Sequence, residues 1–98
     1  MNSESGLQNI TGRFEGRLDL NDVSMSPLKK GDTLQVKYPG GDVTAMLVYL
    51  NGEDIPPDHS REGAVLTLAY PVVWYVGQTL SIQADGRTCG TFTVTAVK

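Results

Sequence analysis

The residues best equipped for chemistry lie in two places. His59, the only histidine, stands among Glu53, Asp54, Asp58 and Glu62 in the segment Asn51 to Gly63 (NGEDIPPDHSREG). Cys89, the only cysteine, stands in Gly86-Arg87-Thr88-Cys89-Gly90. Carboxylates beside an imidazole suggest a metal site or a general acid and base. The spacing, however, matches no calcium loop, and one histidine is a poor basis for zinc. Nothing in the sequence pairs Cys89 with His59 for nucleophilic catalysis. No G-x-x-x-x-G-K-[ST] loop is present to cradle a phosphate. The segment therefore reads as a solvated acidic loop and Cys89 as a small strand residue. The chain reads as a non-catalytic protein, with no cofactor, metal or nucleotide expected.

The remaining chemistry is that of binding. Trp74, Tyr75 and Val76 form an apolar run of the residue types most often found as anchors in interfaces. Trp74 has two readings of equal standing: a contact for another macromolecule, or a cap packed into the end of the core. Met46, Val48 and Leu50 make a second apolar row. Arg13, Arg17, Gln35, Lys37, Thr44 and Arg87 are the polar and cationic candidates for a nucleic-acid contact. The net charge of −3 argues mildly against that use, because affinity for nucleic acid comes largely from neutralising phosphates.

Period-2 alternation shows which elements must hold these residues. Phe14, Leu18 and Leu20 alternate with Arg13, Glu15, Arg17 and Asp19 over Gly12–Leu20, and Gly16 takes an inward position. Such a glycine marks a bend or the close approach of another backbone. Leu34, Val36 and Tyr38 share one face of Thr33–Tyr38, with Gln35 and Lys37 opposite. Val43–Leu50 is apolar on both faces: Val43, Ala45, Leu47 and Tyr49 on one, Met46, Val48 and Leu50 on the other. A strand of that kind needs cover on both sides. A protein partner, a second copy of the chain, a loop, or the N-terminal leader would each supply it. Ala64, Leu66, Leu68 and Tyr70 define a fourth strand, and Pro71 to Gly77 links it to the fifth. Gln78–Ala84 and Cys89–Val97 complete the set, joined through Asp85-Gly86-Arg87-Thr88 as a tight hairpin.

Successive side chains of a strand point to its two faces, and short strands separated by turn signals predict an all-β sandwich or barrel. Ninety-eight residues suffice for one core. We expect a flexible polar leader over residues 1–11 and a single six-stranded, antiparallel-rich β-barrel over residues 12–98. No apolar run approaches the length of a membrane span, and the start lacks a signal-peptide pattern. The lone cysteine suits a reducing compartment, most simply the cytoplasm.

The stretch LTLAYPVVWYVGQTLSIQADGRTCGTFTV resembles the end of the C-terminal β-barrel, domain 3, of elongation factor Tu. The matching pieces are Tyr70-Pro71, Gly77 and Gly86-Arg87-Thr88-Cys89-Gly90. A weaker likeness extends upstream through Pro27, Leu28, Lys29, Gly31 and Asp42-Val43-Thr44 to Phe14-Glu15. The resemblance implies a barrel of that type, a link to translation, and contacts with proteins or with the T-stem backbone of tRNA. Gln35 and Thr44 match polar residues of that RNA contact. Ala84 and Asp85 depart from it, and an aspartate there would repel phosphate. Two functions are therefore expected: a module that docks a protein through Trp74, Tyr75 and Val76 or through Met46 and Val48, or an RNA-binding accessory of translation. The second requires strands 1 and 2 to be neighbours or nearly so. No DNA or membrane partner is expected.

Overall fold

The computed structural model describes residues 10–22, 26–52 and 54–97. They form six strands: β1 (Ile10–Leu20), β2 (Thr33–Tyr38), β3 (Gly41–Tyr49), β4 (Ser60–Val73), β5 (Thr79–Ala84) and β6 (Arg87–Val97). The strands close into an antiparallel barrel in the order β1-β4-β3-β2-β5-β6. Closure leaves no long strand edge open, which suits a sheet that no helix among the described residues covers. Most of the expected leader, residues 1–9, lies outside the described residues. Its last two, Ile10 and Thr11, belong to β1, whose backbone pairs Ile10 with Val73.

The inward residues of the alternation fill the barrel. Phe14, Leu18, Val36, Leu47, Leu66, Ile82 and Phe92 are all fully buried. Gly16 and Gly90 let β6 approach β1. A Cβ on Gly16 would lie 2.3 Å from the Thr93 carbonyl oxygen and 2.6 Å from the Phe92 ring, and one on Gly90 would lie 2.0 Å from the Asp19 carbonyl oxygen. The inward glycine of β1 thus marks a close backbone approach.

The two ends of the barrel are plugged differently. At one end lie the β1–β2 and β3–β4 connections and the β5–β6 turn. There Leu28 and Ile55 form an isolated antiparallel bridge, with reciprocal backbone hydrogen bonds of 2.9 and 2.8 Å. Both side chains are buried. The acidic segment is therefore not wholly solvated. β4 begins at Ser60, and Ile55 anchors what remains of the loop into the core.

At the other end Trp74 closes the barrel. Its ring is fully buried. It stacks against Phe14 with centroids 4.7 Å apart, and meets Tyr38 at 6.0 Å and Phe92 at 6.4 Å.

Two irregularities change the face that a side chain occupies. Leu47 pairs with Leu66 but Tyr49 pairs with Val65, so Val48 is an extra residue in β3. That bulge turns Tyr49 outward, 53% exposed, and Leu50 inward, reversing the faces expected for both. In β4, Thr67 pairs with Arg13 and Val72 with Thr11, so Leu68 to Pro71 run opposite Gly12 alone. Tyr70 consequently leaves the inner row of Ala64, Leu66 and Leu68 and is 46% exposed. The proline lies where the ladder is already broken, the position a strand tolerates.

Candidate docking surface

The polar candidates fall into separate groups. β1 and β2 are three steps apart in the six-membered ring in either direction, which places them on opposite sides of the barrel. Arg13 and Arg17 on β1 are thus separated from Gln35 and Lys37 on β2, and the neighbour relation that an RNA face required is not met; Thr44, on β3, lies between them in the ring. Arg17 Nε lies 2.9 Å from Asp19 Oδ1, and its Nη1 lies 3.7 Å from Glu62. Arg87 pairs with Asp22 at 3.0 Å. Arg13 Nε donates to Thr67 Oγ1 at 3.3 Å. Lys37 stands opposite Asp42 in the ladder.

Gln35 and Thr44 do meet. They are direct cross-strand partners, and the Thr44 hydroxyl donates to Gln35 Oε1 at 2.6 Å. Gln83 stands on the other side of Gln35. The shallow groove over them is also lined by Asp85. Asp85 and Gly86 have φ of 53° and 79° and form the two-residue turn between Ala84 and Arg87. Positive φ at both positions is the type I′ geometry favoured by Asp-Gly. A carboxylate at this tip opposes a phosphate ligand.

The apolar candidates divide between two surfaces. On the outer side of β3, Met46 is 44% exposed and Val48 is half-buried. Met46 borders a depression shared with Thr67 and Ala69, while Val48 and Tyr49 border another beside Arg13 and Val65. Leu50 does not join this row, because the bulge turns it into the core.

The second surface surrounds Trp74. Trp74 itself is inaccessible, so of its two readings the structure supports the cap. Tyr75 and Val76, the next two residues, are 62% and 64% exposed. Their presentation follows from the local backbone. The Gln78 amide donates to the Tyr75 carbonyl at 3.0 Å, and Gly77 has φ +94°. This is a type II turn, in which the third residue must accept positive φ. The Tyr75 amide in turn donates to Gln78 Oε1 at 3.0 Å, and Gly77 and Gln78 exchange backbone hydrogen bonds with Val94 at 2.7 and 2.9 Å. The turn is tied to β6 and rests on a buried ring.

Beside it opens a cleft of about 420 Å³. It is lined by Tyr38, Pro39 and Gly40 from the end of β2 and the β2–β3 turn, by Pro71, Val72 and Val73 from β4, and by Tyr75 and Gln78. The Tyr70 hydroxyl donates to the Asp42 carbonyl, just beyond the β2–β3 turn. The side chain of Tyr38 first, and desolvation second, raise the Tyr70 pKa above the ordinary tyrosine value. Sequence reasoning found Tyr75 and Val76 but not Tyr38, Pro39, Pro71 or Gln78. The signal for Gln78 was its place after Gly77 at the close of the turn.

Cys89 is buried, and its backbone carbonyl accepts the Asn21 amide at 2.8 Å. Burial first, and the nearby Asp22 carboxylate second, push its thiol pKa up, which disfavours a nucleophilic thiolate. His59 Nδ1 lies 2.9 Å from the Pro57 carbonyl. Among the described residues no cluster of metal-ligating side chains occurs.

These surfaces belong to a small closed antiparallel barrel with one aromatic end and one looped end. No protein-family model and no curated protein matches the chain. The likeness to domain 3 of elongation factor Tu is therefore carried only by the residues quoted above.

Proposed function

We propose that the chain is a non-catalytic binding module that presents its Trp74 end to a protein partner. One observation carries this reading. Of the large apolar side chains left exposed, Tyr70, Val73, Tyr75 and Val76 gather at that end, on a turn and a broken strand braced from beneath. Rigid exposed aromatics bind at a low entropy cost and serve as anchors. The residues shared with the elongation factor Tu barrel support a partner connected with translation, though a fold hosts many functions and the site must carry the argument.

The alternative, an RNA accessory using Arg13, Arg17, Gln35, Lys37, Thr44 and Arg87, has the Gln35–Thr44 pair in its favour. The separation of its cations and their carboxylate partners weigh against it. The test is capture from lysate with and without ribonuclease, comparing the wild type with Tyr75→Asp/Val76→Asp and with Gln35→Ala/Thr44→Ala. A protein retained after ribonuclease, and lost only from the first variant, supports docking at the Trp74 end. Loss on ribonuclease, or loss only from the second variant, moves the function to RNA.

A further inference from the structure

We propose that Asn51-Gly52 is a self-modifying site: the chain closes a cyclic imide there, releases ammonia and reopens to aspartate or isoaspartate, with the Arg61 guanidinium assisting. The two residues follow Leu50 after the end of β3, in a bend, and both are exposed. Gly52 has φ +102°, a conformation that favours glycine, and has no side chain to shield its nitrogen. A Cβ there would lie 2.9 Å from Arg61 Nη1. The Asn51 side chain lies against Gly63, where an added Cβ would be 3.4 Å from Asn51 Cβ and 3.8 Å from its Nδ2. Among the described residues, neither the Gly52 N–H nor the Asn51 side-chain amide has a hydrogen-bond partner. Nucleophile and electrophile are thus neighbours on one chain, which makes their reaction intramolecular.

Arg61 adds what an ordinary Asn-Gly pair lacks. Its Nη1 donates to the Asn51 carbonyl oxygen at 3.0 Å and its Nη2 to the Asp54 carbonyl at 3.3 Å. The ladder fixes its place: Arg61 stands in β4 opposite Leu18, and β4 returns antiparallel beside β3. The Asn51 carbonyl and the Gly52 nitrogen belong to the same amide. When that nitrogen gives up its proton, resonance spreads the negative charge onto the carbonyl oxygen. A cationic donor is already hydrogen-bonded there, and hydrogen bonding to a charged form favours it. The nitrogen then attacks Asn51 Cγ, the Cγ–Nδ2 bond breaks, and the departing nitrogen takes up the proton through solvent to leave as ammonia. Water adds to either imide carbonyl and opens the ring. One opening gives aspartate. The other gives isoaspartate, which puts an extra carbon into the backbone between Leu50 and Ile55, both core residues. Water is the only co-reactant.

The experiment incubates the full native chain in mildly alkaline buffer and follows each asparagine by peptide mapping, with electron-transfer fragmentation to tell isoaspartate from aspartate. Asn51 should convert to both acids, and faster than Asn21, which is also exposed but is followed by Asp22. Conversion should be at least as fast in the native chain as in the chain unfolded in urea, where the Arg61 contact is gone. Arg61→Gln should slow the native reaction roughly threefold to tenfold, and Arg61→Lys, which keeps a cation, should slow it less. Far-UV circular dichroism shows whether each variant keeps the barrel; if neither does, the native and unfolded wild type decide. An Asn51 that keeps its amide in the native chain while the unfolded chain converts would overturn the inference. So would a native rate below the unfolded one, or an Arg61→Gln rate equal to that of the wild type.

Discussion

Replacing Trp74 with alanine tests whether the aromatic end is a plug or a contact. The ring is fully buried and packs on Phe14, Tyr38 and Phe92. Removing a buried aromatic ring costs about 3–5 kcal/mol through lost transfer energy and the cavity left behind. A domain of this size has about 5–15 kcal/mol in all. At about 4–8 °C per kcal/mol, the substitution should lower Tm by at least about 12 °C. Trp74→Phe should behave differently. The indole Nε1 is buried without a partner among the described residues, and an unpaired buried donor costs about 1–3 kcal/mol. Phenylalanine removes that penalty while keeping most of the apolar ring, so its loss should stay below about 2 kcal/mol. Urea unfolding followed by far-UV circular dichroism reads both variants, because the substitutions remove the only tryptophan. A loss under about 1 kcal/mol for Trp74→Ala would refute the reasoning. The ring would then not be a structural plug, and Trp74 would return as a contact residue.

Three further predictions concern the barrel wall. Gly90→Ala should destabilise severely or prevent folding, since its Cβ would strike the Asp19 carbonyl at 2.0 Å while Gly12→Ala, with the Leu68 oxygen 3.6 Å away, should be mild; comparison of urea midpoints decides it. The Asp19 carboxylate, which accepts the Ser60 hydroxyl and is opposed by burial but helped by Arg17, has a lowered pKa. Its contribution is therefore present above the unfolded pKa of about 3.9 and is lost as pH falls through the lower folded value. Asp19→Asn should flatten the acid limb of stability below about pH 4, and an unchanged limb would contradict the assignment. Cys89 should resist a thiol-specific disulfide reagent in the native protein and react on unfolding in urea; rapid native labelling would contradict its burial.

The alternation of apolar and polar residues revealed the strands well because one face of each is buried. β2 runs over Thr33–Tyr38 as its pattern indicated, and the other strands differ mainly at their ends. Tyr49, Leu50 and Tyr70 were misplaced for one shared reason. A bulge adds residues on one strand only, and period-2 reading has no means of seeing an insertion defined by the partner strand. Ile55 was hidden in an acidic loop, since its burial depends on a bridge to Leu28 from a distant connection. The candidate surface was half legible. Tyr75 and Val76 stood out by residue type, and their type II turn is local. The rest of the lining, Tyr38 to Gly40, comes from the end of β2 and the β2–β3 turn, and only the ring order brings it alongside. That same order separated Arg17 from Lys37.

The ring order also bears on how the chain reaches this state. β1 precedes every other strand in sequence, yet its two neighbours are β4 and β6. Phe14 pairs with Val97, the last described residue of β6. On a growing chain β1 therefore waits unpaired until β4 has been made, and on its other side until β6 has been made. Such distant pairings slow folding, because the loop entropy is lost before the contacts form. Its outward row of Arg13, Glu15, Arg17 and Asp19 is suited to that interval. Charges of alternating sign along an unpaired strand discourage pairing with other chains, which gives this charged row a use as protection during synthesis.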